Sequence, residues 1–199
     1  MTDHNKAVIL AAISADVPVI VWGPPGCGKT AMIRGMAKAN NCHVEIVIAS
    51  QMNPEDVGGI PHVLPSGEVR LAPPLWVRRI KNSLESGRKT WVFFDEMSCA
   101  RPDVQASLLR TIQERNVADI DISGASVIAA ANHADYAASG GDLPAPTANR
   151  FAHVNMSAVP APEWAASILS GHWPEGGVVS KKSDVFYACL LYTSDAADE

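Results

Sequence analysis

The amino-acid sequence predicts an α/β fold in which a parallel sheet is flanked by helices. Short apolar runs alternate along the chain with longer segments of helical periodicity, and this alternation is typical of βαβ units. Segments rich in glycine and proline separate many of them. Of the 199 residues, 47% are hydrophobic, which is enough to form a core and excludes a wholly disordered chain.

Each predicted strand is a short apolar run, of the kind that is buried on both faces of a parallel sheet. The first of these runs leads directly into a glycine-rich loop, and the third ends in two acidic residues. The predicted strands, in chain order, are Pro18–Trp22, His43–Ile48, Trp91–Phe94, Ser126–Ala131 and Phe151–Met156.

The predicted helices precede, separate and follow these strands. Gly87 ends the third helix, and Pro102 lies at the start of the fourth. The predicted helices are Lys6–Ala15, Ala31–Asn40, Leu75–Ser86, Asp103–Arg115 and one that begins over Pro162–Ser170. Two segments are predicted to be mostly loop: Gln51–Pro74, with a small hairpin over Val63–Leu71, and Ser139–Thr147.

Composition narrows the classes of function. The net charge of −5 argues against a broad basic face for duplex nucleic acid. No apolar run approaches the roughly 20 residues that cross a bilayer, and the first residues lack the pattern of a signal peptide. We therefore expect a cytoplasmic protein without a membrane segment. The four cysteines show no metal-binding spacing, and we expect free thiols.

The segment from Cys189 to Glu199 differs in character from the rest of the chain. It resembles the translation of a transposon-end adapter used in sequencing libraries. We therefore expect that the natural sequence departs from this one near Ala188, that the gene is truncated, and that residues 189–199 are an artefactual tail. The alternative is an ordinary acidic C-terminal tail.

A phosphate-binding pattern occupies residues 23–30, which read GPPGCGKT and fit G-x-x-x-x-G-K-[ST]. It follows a predicted strand and opens a predicted helix, as the pattern requires. The glycines let backbone N–H groups surround phosphates, and the helix N-terminus adds a favourable dipole. Lys29 is expected to reach the β- and γ-phosphates of ATP, and Thr30 to ligate Mg²⁺. The predicted nucleotide-binding residues are Gly23, Pro24, Pro25, Gly26, Cys27, Gly28, Lys29, Thr30 and Ala31.

Polar residues also follow directly after two other predicted strands. Asp95 and Glu96 follow Trp91–Phe94, where Asp95 can hold the Mg²⁺ shell and Glu96 can activate water as a general base. The alternative is a strand that runs into an acidic turn. Asn132 follows another strand and is a candidate to hold the attacking water or to sense the γ-phosphate. Alternatively, Asn132 only caps the next turn.

In these motifs the sequence resembles the AAA+ ATPases, and among them the MoxR-type and dynein-related ATPases. The P-loop, Phe94–Met97 and Ile128–Asn132 match the P-loop, Walker B and sensor 1 segments of that family. Leu143–Phe151 is similar to the arginine-finger segment, which makes Arg150 the candidate finger. The resemblance extends over roughly Lys6–Met156.

The resemblance implies a P-loop NTPase sheet that binds ATP and Mg²⁺ in a homo-oligomeric ring, usually a hexamer. Arg150 of one subunit would then reach the nucleotide of the next. Residues 1–158 would form the nucleotide-binding core and 159–188 the start of a helical lid that is mostly missing. The resemblance also suggests that Ser50 hydrogen-bonds Glu96 and holds it inactive.

Two further details concern the segment after the acidic pair. The family usually carries Asn-Arg-Ala there, whereas this chain has Ser98, Cys99 and Ala100, with Arg101 one place later. Arg110 and Arg115, on the helix that follows, are candidates to face a neighbouring subunit.

The leading interpretation is an ATPase that remodels or matures a protein partner in the manner of a chaperone. The client cannot be identified from the sequence. The alternative is an AAA+ nucleic-acid machine such as a helicase loader or clamp loader, against which the net charge argues. A P-loop kinase of a small molecule fits less well, because such kinases rarely combine Asp95, Glu96, Asn132 and Arg150.

Overall fold

The structure is a computed structural model that describes residues 3–133, 143–157 and 165. The chain divides into two compact units, Met1–Ala158 and Val159–Glu199, and every described residue except Ala165 lies in the first. The predictions made for the lid segment 159–188, Ala165 aside, and for the tail 189–199 fall outside the described residues.

A five-stranded parallel sheet forms the centre of the first unit. Its spatial order is β2-β5-β8-β1-β9, and each neighbouring pair runs parallel. The predicted α/β class is therefore confirmed. The described strands are β1 Val19–Trp22, β2 His43–Ile48, β3 Ile60–Val63, β4 Val69–Ala72, β5 Thr90–Asp95, β6 Asn116–Val117, β7 Ile120–Asp121, β8 Ala125–Ala131 and β9 Ala152–Asn155.

Helices cover both faces of this sheet. Successive residues of a strand point to opposite faces, so neighbouring residues pack into different apolar clusters. Phe93 belongs to the apolar cluster that includes Ile33, and Phe94 to the cluster that includes Leu108. Both phenyl groups are fully buried, so we expect truncation of either to alanine to cost about 3–5 kcal/mol. The described helices are α1 Asp3–Ser14, α2 Lys29–Ala39, α3 Pro54–Gly58, α4 Leu75–Glu85, α5 Pro102–Glu114 and α6 Ala145–Ala148, with short 3-10 turns at Ala49–Gln51 and Met97–Cys99. Within the described ranges, no helix is both long and apolar enough to cross a membrane.

The segment predicted as loop at Gln51–Pro74 contains more regular structure than expected. Helix α3 begins after Asn53, whose backbone N–H donates to Asp56 Oδ2 at 2.9 Å and so satisfies a free helix-end donor. The hairpin is formed by β3 and β4 and is longer than the predicted one. Pro61 is tolerated there because a two-stranded ribbon leaves one side of each strand unpaired.

Arg115 does not face outward, and the sequence-based interpretation of it is wrong. Arg115 is only 8% exposed, and its Nη1 donates to Ala125 O at 2.6 Å. Burial lowers the pKa of Arg115. Its left-handed backbone, with φ 51°, ends α5. Arg115 therefore fixes the connection from α5 to β8.

Candidate nucleotide-binding site

The carboxyl ends of β1, β5 and β8 meet at one edge of the sheet, because parallel strands end on the same side. A cavity of about 340 Å³ lies there. It therefore occupies the place where ligands bind in open parallel sheets. The described residues that line it are Pro25, Gly26, Gly28, Lys29, Thr30, Ala31, Asp95, Glu96, Ala130 and Asn132.

Two glycines give the P-loop its backbone conformation. Gly26 has φ 72° and Gly28 has φ 91°, both in the left-handed region that side chains disfavour. A Cβ at either position would meet no atom within 4 Å, so conformation and not crowding requires glycine. Gly28 is the N-cap of α2. The first backbone N–H groups of that helix therefore border the cavity without partners inside the helix, as anion-binding helix ends do.

Gly23 is required to be glycine by close packing, independently of the phosphate-binding role predicted for it. A Cβ there would lie 2.6 Å from Met156 O and 3.1 Å from Cys27 Sγ. Gly23 N also donates to Ala131 O at 3.2 Å. The residue is glycine because the loop starts in close contact with the end of β9. Gly23, Pro24 and Cys27 are not among the described residues that line the cavity.

Lys29 brings a buried cation to this cavity. It is 9% exposed, and Nζ donates to Gly23 O at 2.9 Å, Pro24 O at 3.0 Å and Asn132 Oδ1 at 2.8 Å. Within the described part of the chain these partners are neutral oxygens, so no carboxylate cancels the charge. A buried cation held in this way favours an anionic ligand.

Thr30 and Asp95 are in direct contact. Thr30 Oγ1 donates to Asp95 Oδ2 at 2.5 Å, while Asp95 Oδ1 accepts from Glu96 N at 3.0 Å. A hydroxyl and a carboxylate side by side form a hard oxygen donor set, which is the chemistry that Mg²⁺ prefers. These two residues therefore fit the Mg²⁺ that the sequence predicted.

Glu96 lies at the rim of the cavity in a strained backbone conformation. Its φ of 56° and ψ of 36° are left-handed, a conformation that costs a non-glycine residue roughly 1–2 kcal/mol. Met97, which follows, is fully buried and anchors the turn. The Glu96 side chain is exposed to solvent and its Oε2 accepts a hydrogen bond from Ser50 Oγ. The predicted contact between Ser50 and Glu96 is therefore present.

Asn132 is fixed through its backbone as well as its side chain. Its N–H donates to Ser98 Oγ at 3.0 Å, and Ser98 is only 2% exposed. The sequence-based prediction missed Ser98. The signal that could have identified it is a small hydroxyl residue two positions after Glu96, where the related family usually has asparagine.

Trp22, the last residue of β1, is held between two histidines. Its indole lies 5.3 Å from the His133 ring and 5.9 Å from the His153 ring in stacked arrangements. Trp22 Nε1 donates to His153 Nδ1 at 2.9 Å, and the other ring nitrogen of His153 lies 2.9 Å from Ala148 O. This stack joins the start of the P-loop to α6 and to the residue after Asn132.

Arg150, the candidate finger, is also not brought to the cavity. It is exposed, it lies between α6 and β9, and it is not among the described lining residues. With the Gln113 amide oriented so that its oxygen faces the guanidinium, Arg150 Nε and Nη2 each lie 2.9 Å from Oε1. Gln113, on α5, is a second residue that the sequence-based prediction missed.

The fold and this site define a P-loop nucleotide-binding protein. Residues 18–151 match the AAA domain (dynein-related subfamily), a match that spans more than half of the chain. The chain belongs to that family, and the resemblance drawn from the sequence motifs is confirmed.

Individual relatives agree with this assignment. Protein MoxR of Paracoccus denitrificans is 33% identical over 102 residues, which are 50% of this chain and 28% of MoxR. Among solved structures, the chain is similar to a candidate ATPase from Cytophaga hutchinsonii, with TM-score 0.55 and 18% identity. It is also similar to the RuvB P216G mutant of Thermotoga maritima, with TM-score 0.54 and 16% identity. Each structural match covers 83% of this chain and 48% of the other, and identities this low support the fold alone.

Proposed function

We propose that this domain binds ATP with Mg²⁺ and hydrolyses it to ADP and phosphate. The observation that carries the proposal is that three chemical groups border one cavity. They are the Lys29 cation, the oxygen pair of Thr30 and Asp95, and the carboxylate of Glu96. Membership of the AAA family supports the same reaction.

The P-loop supplies the binding of the triphosphate. The N–H groups at the start of α2 and the Lys29 ammonium donate to phosphate oxygens, and the low exposure of Lys29 strengthens its attraction. Thr30 and Asp95 would hold Mg²⁺, which when bound neutralises charge on the phosphate oxygens. The exposed Pro25 and Gly26 leave the loop open to a ligand from solvent.

Hydrolysis requires a base for the attacking water, and Glu96 takes that role. Water attacks the γ-phosphorus, its proton passes to the Glu96 carboxylate, and the bond to the β-phosphate oxygen breaks. Ser50 withholds Glu96 from this role while it donates to the carboxylate. Asn132 lies beside Lys29 and orients the water or contacts the γ-phosphate.

Arg150 completes the site from a neighbouring copy of the chain. Its exposure, and its absence from the described lining of the cavity, agree with a finger arginine supplied in trans. The assembly is a homo-oligomeric ring, most simply a hexamer as in the family that the sequence resembles. A cation that reaches the γ-phosphate from outside lowers the barrier by stabilising transition-state charge.

The work driven by hydrolysis is the remodelling or maturation of a protein partner in the cytoplasm. The resemblance to the MoxR-type ATPases favours this over the alternative, an AAA+ machine that acts on nucleic acid. The net charge, −5 for the whole sequence and −2 without residues 189–199, also argues mildly against a nucleic-acid machine. Binding to DNA that weakens steeply with salt would favour the alternative.

The experiment that tests the proposal is phosphate release from Mg-ATP with no acceptor substrate present. Nucleotide binding is measured on this chain and hydrolysis on the complete gene product, because the chain covers 28% of MoxR and 48% of each structural relative. Phosphate release supports an ATPase. Transfer of phosphate only when a small-molecule acceptor is added would instead identify a kinase.

A further inference from the structure

Helix α5 links the turn that carries Glu96 to the segment that carries Arg150. Near its start, Gln105 is 5% exposed, and its Nε2 donates to Met97 O at 3.3 Å and to Ala100 O at 2.9 Å. Near its end, Gln113 contacts Arg150. The eight steps along the helix from Gln105 to Gln113 correspond to about 12 Å. A single helix therefore connects the turn that carries Glu96 to the segment that carries Arg150.

The backbone on either side of Arg150 is fixed. Thr147, three residues before Arg150, is 2% exposed, and Phe151, the next residue, is 7% exposed, so the chain is anchored in the core on both sides of Arg150. Arg150 N donates to Thr147 O at 3.2 Å, and Phe151 N donates to Ala148 O at 3.2 Å. The Cα of Arg150 is thus held in place. The backbone does not fix the direction of its long side chain, so that direction depends on side-chain contacts.

Gln113 determines that direction through a neutral oxygen. With the Gln113 amide turned so that its oxygen faces the guanidinium, Arg150 Nε and Nη2 each lie 2.9 Å from that oxygen, so the guanidinium is held at two of its nitrogens. The adjacent acid, Glu114, is engaged elsewhere, because its Oε2 accepts from Arg110 Nε at 2.8 Å. The bond to Glu114 also raises the pKa of Arg110.

Gln113, near the end of α5, can therefore orient the Arg150 guanidinium without neutralising its charge. A carboxylate at position 113 would orient Arg150 equally well, but it would form a stronger charge-paired contact and cancel the positive charge. An amide orients the guanidinium and leaves its charge available. Among the described residues, no carboxylate pairs with Arg150.

We propose that Gln113 is a positioning residue for the proposed finger: it orients the Arg150 guanidinium at the domain surface through a neutral contact that an incoming phosphate can replace. This inference rests on the proposed function, in which Arg150 acts on the nucleotide of a neighbouring copy. It adds that the amide at position 113 is required for that action.

The test compares Gln113→Glu and Gln113→Met in the complete gene product. Gln113→Glu traps Arg150 in an ion pair, whereas Gln113→Met keeps the size and removes the acceptor. We expect Gln113→Glu to lower kcat at least about tenfold with KM for ATP unchanged, a part of the roughly 10³-fold that a finger arginine contributes. Gln113→Met should lower kcat by a smaller factor, because the free side chain still samples the productive direction.

The Arg150→Ala background provides the control for a merely structural effect. Both substitutions at position 113 should have no further effect there, since the group that they orient is gone. An equal loss in the wild-type and Arg150→Ala backgrounds, or an unchanged kcat in Gln113→Glu, would overturn the inference. If wild-type protein releases phosphate and Arg150→Ala lowers the rate but Gln113→Glu does not, the proposed function stands and this inference fails. If wild-type protein releases none, both fail.

Discussion

Lys29 Nζ lies 2.8 Å from Asn132 Oδ1, so the cation of the P-loop and the amide at the end of β8 are directly hydrogen-bonded. A second bond, from Thr30 to Asp95, joins the same helix to the end of β5. The start of α2 is therefore hydrogen-bonded to the ends of the neighbouring strands β8 and β5. The residues that form these bonds are the ones proposed to bind and hydrolyse ATP.

Replacement of Lys29 by alanine should weaken Mg-ATP binding. Loss of a charge-assisted hydrogen bond to phosphate costs about 2–3 kcal/mol, or roughly 30- to 150-fold in Kd. The measurement is titration calorimetry on this chain. Lys38→Ala is the matched control, because Lys38 is an exposed lysine on the same helix. Equal affinities of the two variants for Mg-ATP would show that Lys29 does not bind the phosphates and would contradict the P-loop assignment.

Replacement of Ser98 by alanine should destabilise the domain. Ser98 is 2% exposed and its hydroxyl accepts from Asn132 N, so its removal leaves a backbone donor without this acceptor. We expect a loss of about 1–3 kcal/mol in the free energy of unfolding, measured in urea. Ser107→Ala, whose hydroxyl donates to Asp103 O on the surface of α5, should cost less. Equal losses for the two variants would mean that the buried contact of Ser98 stabilises the fold no more than an exposed serine contact does.

The Cys42 thiol should make stability depend on pH in the alkaline range. Burial raises the pKa of Cys42 from 9.0 to about 11, with Sγ 3.1 Å from Lys89 O. Because the folded-state pKa is the higher one, the unfolded chain loses this proton first. The stability difference between wild type and Cys42→Ala should therefore be constant below pH 9 and decrease from pH 9 to pH 11. A difference that stays flat across that interval would contradict the burial of this thiol.

A mixture of two inactive variants should recover activity if Arg150 acts between subunits. Arg150→Ala and Glu96→Gln are each expected to be defective alone. A mixed ring contains some interfaces where an intact Arg150 meets an intact Glu96, so part of the phosphate release should return. If mixed assembly is verified and no activity returns at any ratio, Arg150 is a structural residue.

The parts that the sequence predicted best are those with local physical causes. The strand that ends at Asp95 is a continuous apolar run, and the P-loop glycines match a pattern that backbone geometry requires. Because parallel strands end at one edge, residues that follow different strands could be expected to meet. The contact of Ser50 with Glu96 followed from the family resemblance rather than from such a cause.

The parts that sequence reasoning missed depend on contacts between distant elements. The sequence pattern does not show that Gly23 is also required because Met156 O leaves no room for a side chain. Arg115 reads as an exposed cation, yet Ala125 O accepts its hydrogen bond in the interior. No local pattern predicts the partner of Gln113, because that contact depends on how α5 packs against the segment before β9.

The central claim is that this site hydrolyses ATP with Glu96 as the base. The most direct measurement is steady-state phosphate release by the complete gene product, for wild type and Glu96→Gln, together with ATP affinity. Glu55→Gln, an exposed acid-to-amide change on α3, is the control. The account predicts that Glu96→Gln binds ATP as wild type does and releases phosphate at least roughly 10²-fold more slowly, while Glu55→Gln matches wild type. A Glu96→Gln protein that releases phosphate at the wild-type rate would contradict it.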